Sequence, residues 1–217
     1  MKTHRPVQVL SRHTLLSQTV RAGLLARGLA AETLPFGHDH EALRHALTAD
    51  DVVVLLEDLA TEDAVRRVAA LVAGVPACWL VLTDRPEGAA WGALLEAGAL
   101  AVLPAAARLE ELEASVRAVL LGQPLGDPEQ RRRLVAEWVQ ERQQQEELGR
   151  RLATLTCYQR LTLDLLEEGH CIAAIAERSG ATETTVRTRL RAVLSKLDVH
   201  SQVGAVAAVR RARTAGV

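Results

Sequence analysis

In the last part of the chain, residues 155–217, apolar residues recur at helical intervals in three short segments separated by two glycines. Leu161, Leu165 and Leu166 are expected on one face of the first segment, and Ile172, Ile175 and Ala176 on one face of the second. Val186, Leu190, Val193, Leu194 and Leu197 form a stripe along the third. Gly169 closes the first segment, where a residue without Cβ accepts the left-handed cap, and Gly180 lies in the turn before the third. Thr182 is positioned to cap the third helix with its hydroxyl. Two short helices, a glycine turn and a further helix carrying cations describe a helix-turn-helix.

The third helix carries the chemistry. Arg187, Thr188 and Arg191 stand at i, i+1 and i+4 and project from one sector, while the apolar stripe buries the opposite one. A recognition helix needs this division, because its apolar side docks on the domain and its guanidinium groups reach guanine edges and phosphates in the major groove. The plainer alternative for such cations is a solvated basic face.

The stretch resembles the C-terminal DNA-binding domain of LuxR-type regulators, as found in NarL/FixJ response regulators. The resemblance is carried by Leu155-Thr156, Gly169, Ile175-Ala176-Glu177-Arg178, Thr185-Val186-Arg187-Thr188 and Lys196-Leu197, at the family's spacing without gaps. It departs from the family where Pro-Arg-Glu is replaced by Cys157-Tyr158-Gln159. It departs again at Ser179, where an apolar residue closes the second helix, and at Arg189, where His or Asn is common. The resemblance implies double-stranded DNA as the partner. Arg187 and Arg191 would contact it, with Thr188 near a base edge and Thr185 and Lys196 on phosphates. In the family the last helix, here Ser201 to Arg213 with Val203, Val206 and Val209 on one face, pairs two DNA-binding domains. A homodimer on an inverted repeat follows, with half-sites about one helical turn apart.

At 217 residues the chain suits two small domains. Charge separates along it: residues 1–122 hold eleven Lys and Arg against fifteen Asp and Glu, residues 123–154 six against six, and residues 155–217 nine against six. An acidic front and a basic back fit a regulatory domain joined to a nucleic-acid reader. Aromatic residues make up 2% of the chain, which argues against a stacking platform for RNA or single strands. Cys78, Cys157 and Cys171 are odd in number and far apart, so reduced thiols in a cytoplasmic protein are expected. Lys2-Thr3-His4-Arg5-Pro6 leads into a strand and reads as no signal peptide. No apolar run approaches the roughly 20 residues of a membrane span.

Residues 7–122 alternate strand-like and helical runs. The strands expected are Val7–Leu10, Ala31–Leu34, Val52–Leu56, Cys78–Leu82 and Leu100–Leu103. The helices expected are Leu15–Arg27, Glu41–Leu47, Glu62–Ala73, Ala89–Ala97 and Leu109–Leu121. Five βα units in succession imply a parallel, doubly wound sheet of flavodoxin-like order 2-1-3-4-5. This half resembles the receiver domain of response regulators, on the strand order, on Gly98-Ala99-Leu100-Ala101-Val102-Leu103 with Glu110-Glu111-Leu112, and on Leu82-Thr83.

A receiver's phosphotransfer needs an aspartate nucleophile after the third strand, an acidic pair holding Mg²⁺ after the first, and a lysine after the fifth. Here Ser11-Arg12 stands for the acidic pair, and the arginine would repel the metal. The lysine position falls on Pro104 or Ala105. The nucleophile position is Leu56 in an ungapped reading and Glu57 or Asp58 after a slip, while Thr83 is retained. Glu57 is either a fixed carboxylate imitating an acidic active state or a surface acid at a strand end. A degenerate pocket is therefore expected, with control by a protein partner, a small ligand or protein concentration.

The chain is thus expected to be α/β plus all-α: a flavodoxin-like (βα)5 receiver-like domain over 1–122, a helical linker over 123–154, and a four-helix LuxR-type domain over 155–217. In the linker, Leu134, Trp138, Glu141, Gln145, Leu148, Leu152 and Leu155 follow the 4-3 spacing of a two-stranded coil. Trp138 and Leu148 are candidates for a dimer seam, against a solvated linker helix. His38-Asp39-His40 lacks a third ligand and is read as a polar loop. No phosphate loop, dinucleotide fingerprint or nucleophile elbow occurs, so no enzyme, cofactor or metal is expected.

Overall fold

The computed structural model describes residues 6–35 and 40–215. The chain forms two compact units, Met1–Gln140 and Glu141–Val217.

The first unit contains β1 (Val7–Ser11), α1 (Thr14–Ala26), β2 (Ala31–Pro35), α2 (His40–Ala46), β3 (Val52–Leu56), α3 (Glu62–Gly74), β4 (Cys78–Thr83), α4 (Ala89–Ala97), β5 (Ala101–Pro104) and α5 (Leu109–Leu120). The strands make one parallel sheet of order β2-β1-β3-β4-β5, the order expected. Alternation along each strand divides the core into two faces. Val53 and Leu55 of β3 pack with Leu10, Trp79, Val81 and helices α2 to α4. Val52 and Val54 pack on the other face with Val7, Val9, Leu80, Leu24 of α1, and Leu112 and Val116 of α5. Strands buried on both faces need continuous apolar runs, which is why β3 and β4 read as they do.

A long helix, α6 (Pro128–Ala153), belongs to both units, since the division between them falls inside it. Its first half is part of the first unit. Leu134 is buried in the sheet's core and Trp138 packs against that core, donating its indole N–H to Glu96 Oε2 at 2.7 Å. Arg131 donates to the carbonyls of Leu95 (2.8 Å), Ala99 (3.0 Å) and Leu100 (3.2 Å), a cation at the negative end of α4. Gly92 of α4 lies under this contact, and a Cβ there would collide with the Leu134 carbonyl. The second half of α6 packs Leu148 and Leu152 onto the core of the second unit. Of the 4-3 positions, Leu134 and Trp138 thus pack within the first unit and Leu148, Leu152 and Leu155 within the second.

The second unit adds α7 (Cys157–Glu167), α8 (Ile172–Ser179), α9 (Glu183–Leu197) and α10 (Gln202–Ala215). Leu155, Leu163, Val193, Leu197, Ala205 and Val209 form one cluster, and Leu165, Ile175, Ala176 and Val186 another. Leu161, expected inside, is exposed, and Leu163 takes its place in the core. Among the described residues no helix is long and apolar enough to cross a membrane.

Candidate functional site

At the C-terminal edge of the sheet, β1 ends on Ser11 and β3 on Leu56, which lie side by side in the ladder. Ser11 is buried, and its hydroxyl accepts the N–H of His13 at 3.1 Å. The next residue, Arg12, places Nε 2.7 Å from Oε1 of Glu57, whose side chain is only 6% exposed against 39% for Arg12. Burial pushes the Glu57 carboxyl up from its ordinary value, and the Arg12 charge opposes that shift. Asp58 lies exposed one residue further on, and Leu56 is half-buried in the sheet. Of the three positions considered for the nucleophile, it is Glu57 that is held against Arg12.

Thr83 is fully buried, and its hydroxyl accepts the N–H of Arg85 at 3.2 Å. The Arg85 guanidinium donates to the Leu59 carbonyl at 2.8 Å and meets Glu62 at 2.6 Å. Pro104 and Ala105 end β5 beside Thr83, with the Ala105 N–H on the Thr83 carbonyl. Neither offers a cation. These residues do not fit Mg²⁺: the buried carboxylate already has a guanidinium partner, and the Ser11 hydroxyl is taken by a backbone N–H. Among the described residues no group of His, Cys, Asp and Glu is arranged to hold a metal. His38 and Asp39 lie outside the described residues, as does the His40 side chain.

In the second unit the helix ends are built by short side chains. Thr156 and Gln159 form a reciprocal capping box at α7: Gln159 N–H reaches Thr156 Oγ1 (3.3 Å), and Gln159 Oε1 accepts the Thr156 N–H (3.0 Å). The glutamine where the LuxR family has glutamate thus still closes the cap. Gly180 takes the left-handed conformation at φ 61° and turns the chain between α8 and α9. The Thr182 hydroxyl accepts the Thr185 N–H at 3.2 Å and caps α9. Ser179 is half-buried and bonds back to the Ala176 carbonyl, which accommodates a hydroxyl where the family has an apolar side chain.

Val186, Leu190, Val193 and Leu197 bury one side of α9 as expected. At about 100° per residue, Thr184, Thr188, Arg191 and Ser195 centre on the opposite, exposed side. Arg191 has no ion-pair or hydrogen-bond partner among the described residues, and its side chain is exposed. Thr188 donates to the Thr184 carbonyl at 3.0 Å. Arg187 lies to one flank, paired with Glu183 at 3.0 Å. Thr185 sits at the start of the helix with its hydroxyl 2.9 Å from that of Thr182. Lys196 is turned towards α7, donating to the Thr154 carbonyl (2.7 Å) and to Gln159 Oε1 (2.9 Å), so its ammonium holds two elements of the domain together. Thr184 and Ser195 were not singled out from sequence; the helical wheel centred opposite the apolar stripe is the signal that finds them.

On α10, Val209 is buried within its own unit, Val206 is half-buried, and Val203 is 79% exposed. The apolar face expected for pairing is thus partly consumed internally and continues outward at Val203. Cys157 and Cys171 are exposed thiols, and Cys78 is half-buried; all three are free.

No protein-family model matches the chain, and no curated protein does. The solved structures it resembles are response regulators. One is the two-component response regulator RcsB in a DNA complex, at 17% identity, covering 96% of this chain and 98% of that one, with a TM-score of 0.42. Another is RcsB from Salmonella enterica serovar Typhimurium bound to the promoter rprA with a phosphomimetic, at 16% identity over 95% and 99%, TM-score 0.45. A third is the response regulator ChrA of a heme-sensing two-component system, at 23% identity over 96% and 98%, TM-score 0.42. At such identities and scores no residue role passes from those proteins to this chain.

Proposed function

We propose that the chain is a DNA-binding transcription regulator whose receiver-like unit is not controlled by aspartyl phosphorylation. The observation that carries the first half is the exposed side of α9. It presents Arg191, without a partner among the described residues, beside Thr184, Thr188 and Ser195, on a helix docked by its opposite side after a glycine turn. One guanidinium and several hydroxyls on a helix of that geometry suit base edges in the major groove of double-stranded DNA. Arg187 contributes by exchanging Glu183 for DNA, and Thr185 by a phosphate contact at the helix start. Lys196 acts as a tether first and adds positive potential to the same flank. Two copies pair through Val203 and Val206 of α10, as a homodimer on an inverted repeat.

The second half rests on Arg12 and Glu57. A guanidinium bonded to Glu57, the buried carboxylate at the C-terminal edge of the sheet, satisfies the charge that a divalent cation would otherwise satisfy. A phosphoryl group arriving at Asp58 would meet neither metal nor lysine. Control then comes from a protein partner, a small ligand or protein concentration. Incubation with Mg²⁺ and acetyl phosphate should leave mass, oligomeric state and DNA affinity unchanged. A gain of one phosphate, lost in Asp58→Ala, would overturn this reading in favour of conventional phosphorylation control. A gel-shift with genomic fragments tests the DNA half, and no retarded species would leave an adaptor without DNA activity.

A further inference from the structure

Arg189 stands apart from most arginines of the second unit. Arg151, Arg187, Arg210 and Arg213 each meet a carboxylate, and Arg160 a backbone carbonyl. Arg189 instead lies over the ring of Tyr158, with its guanidinium carbon 4.7 Å from the ring centroid. Its Nη1 is sealed from solvent and has no hydrogen-bond acceptor. Tyr158 itself is 62% exposed, so the ring forms a platform at the surface rather than a piece of core.

The place of this pair on α9 gives it a use. At about 100° per residue, Arg189 and Lys196 share one flank of the helix, well away from the base-facing side centred on Thr184, Thr188, Arg191 and Ser195. A side chain on that flank is directed at the wall of the groove, which is built of phosphates, and not at its floor. Lys196 is already bonded to Thr154 and Gln159. Arg189 is the cation of the flank with a buried N–H group that meets no acceptor.

Resting on the DNA-binding reading above, we propose that Arg189 is a phosphate ligand of the DNA complex, parked on Tyr158 in the free protein. Stacking keeps the guanidinium near its target and limits its rotamers, but leaves Nη1 without an acceptor, so the parked state is easily left. A phosphate oxygen supplies a charge-assisted acceptor for the N–H group that the parked state leaves bare. Tyr158 is a positioning residue: it holds the arginine and touches no DNA.

The test uses the full chain and a mixed-sequence duplex a few turns long, titrated between about 50 and 200 mM salt. Loss of one phosphate contact lowers the slope of log affinity against log salt by about 0.9. Arg189→Ala and Arg189→Gln should both show that loss and bind several-fold more weakly at low salt; the glutamine keeps most of the packing if the alanine unfolds. Tyr158→Phe should match the wild type, and Tyr158→Ala should bind at least as tightly with the slope intact, because the stack it removes is made only in the free protein. Tyr158 is the only tyrosine in the chain, so fluorotyrosine labelling gives a single fluorine resonance. Duplex should move that resonance towards the position seen in Arg189→Gln without DNA. An unchanged slope in both Arg189 variants, with Arg191→Ala still weakened, would overturn this proposal alone. Wild-type protein that binds no duplex would overturn the DNA-binding reading with it.

Discussion

Removing the Arg12 guanidinium should destabilise the first unit in a pH-dependent way. In Arg12→Ala, Glu57 keeps its burial, with a side chain 6% exposed, and loses the cation 2.7 Å away. Breaking a fully buried pair by deleting one partner costs about 3–5 kcal/mol. Arg12 is 39% exposed, so solvent screens the pair, and about 1–2 kcal/mol is the expectation after that discount. For a unit of this size that is a fall in melting temperature of roughly 3–8 °C. The assay isolates the unit, because all three tryptophans, Trp79, Trp91 and Trp138, lie within Met1–Gln140 and their fluorescence reports it alone. Burial already raises the Glu57 pKa, so the folded state holds that proton more tightly than the unfolded state. Its contribution is fully present below the ordinary glutamate value near about 4.3 and is lost as pH rises through the raised folded value. Without Arg12 the raised value goes higher. The deficit of Arg12→Ala should therefore be small in acid and grow towards mildly alkaline pH. Arg12→Ala combined with Glu57→Gln should recover most of the loss, because a buried amide carries no charge to desolvate. A single variant that melts like wild type at alkaline pH, or a double variant no better than the single, would refute the reasoning.

Gly92→Ala should lower the stability of the first unit despite a gain of about 1 kcal/mol in helix propensity, because its Cβ would collide with the Leu134 carbonyl and overpacking costs about 1–3 kcal/mol or more; a higher urea midpoint would contradict the close approach of α4 and α6. Arg191→Ala should cost about 1–3 kcal/mol in DNA affinity and relax discrimination at one base position, and unchanged site preference in a binding selection would remove Arg191 from the base-reading set. Val203→Glu should shift the monomer–dimer balance towards monomer in sedimentation while leaving the fold intact, since Val203 is 79% exposed; an unmoved balance would take α10 out of the dimer.

The sheet was legible because parallel strands need apolar runs and most of the helices between them end on glycines; the parallel sheet and its helix count followed from that alternation, and the strand order from the usual flavodoxin-like arrangement at this size. Legible too was the side of α9 that docks, since Val186, Leu190, Val193 and Leu197 leave little choice of face. The Leu161, Leu163, Leu165 and Leu166 series was not, because it offers apolar residues on more than half the circumference of α7. Only the neighbours decide that Leu163 goes in and Leu161 stays out. The 4-3 pattern of α6 identified an apolar face but not its cover; α4 and the second unit's own core supply that cover in turn, and neither is visible from spacing. Lys196 shows a similar limit: its charge suggested a phosphate, and its bonds to Thr154 and Gln159 within the domain were not visible from spacing. The capping box at Thr156 and Gln159, by contrast, is a local signal that the sequence carried and that a comparison with the family's glutamate obscured.

The placement of Arg12 and Glu57 also bears on how a signal could reach this unit. A phosphorylated pocket gains about two negative charges and changes the surroundings of a hydroxyl at the end of the fourth strand. Here that hydroxyl, on Thr83, is buried and bonded to the N–H of Arg85, whose side chain is fastened to Leu59 and Glu62. The carboxylate is bonded to a guanidinium of the same chain. On the function proposed above, added charge at Asp58 meets an acid and a hydroxyl that are each already bonded within the chain. Arg12 has the most exposed side chain of the bonded set, 39% against 28% for Arg85. On the function proposed above, an anionic regulator at this edge would compete with Glu57 for Arg12. An acidic partner group has the chemistry to do so, and a cation does not.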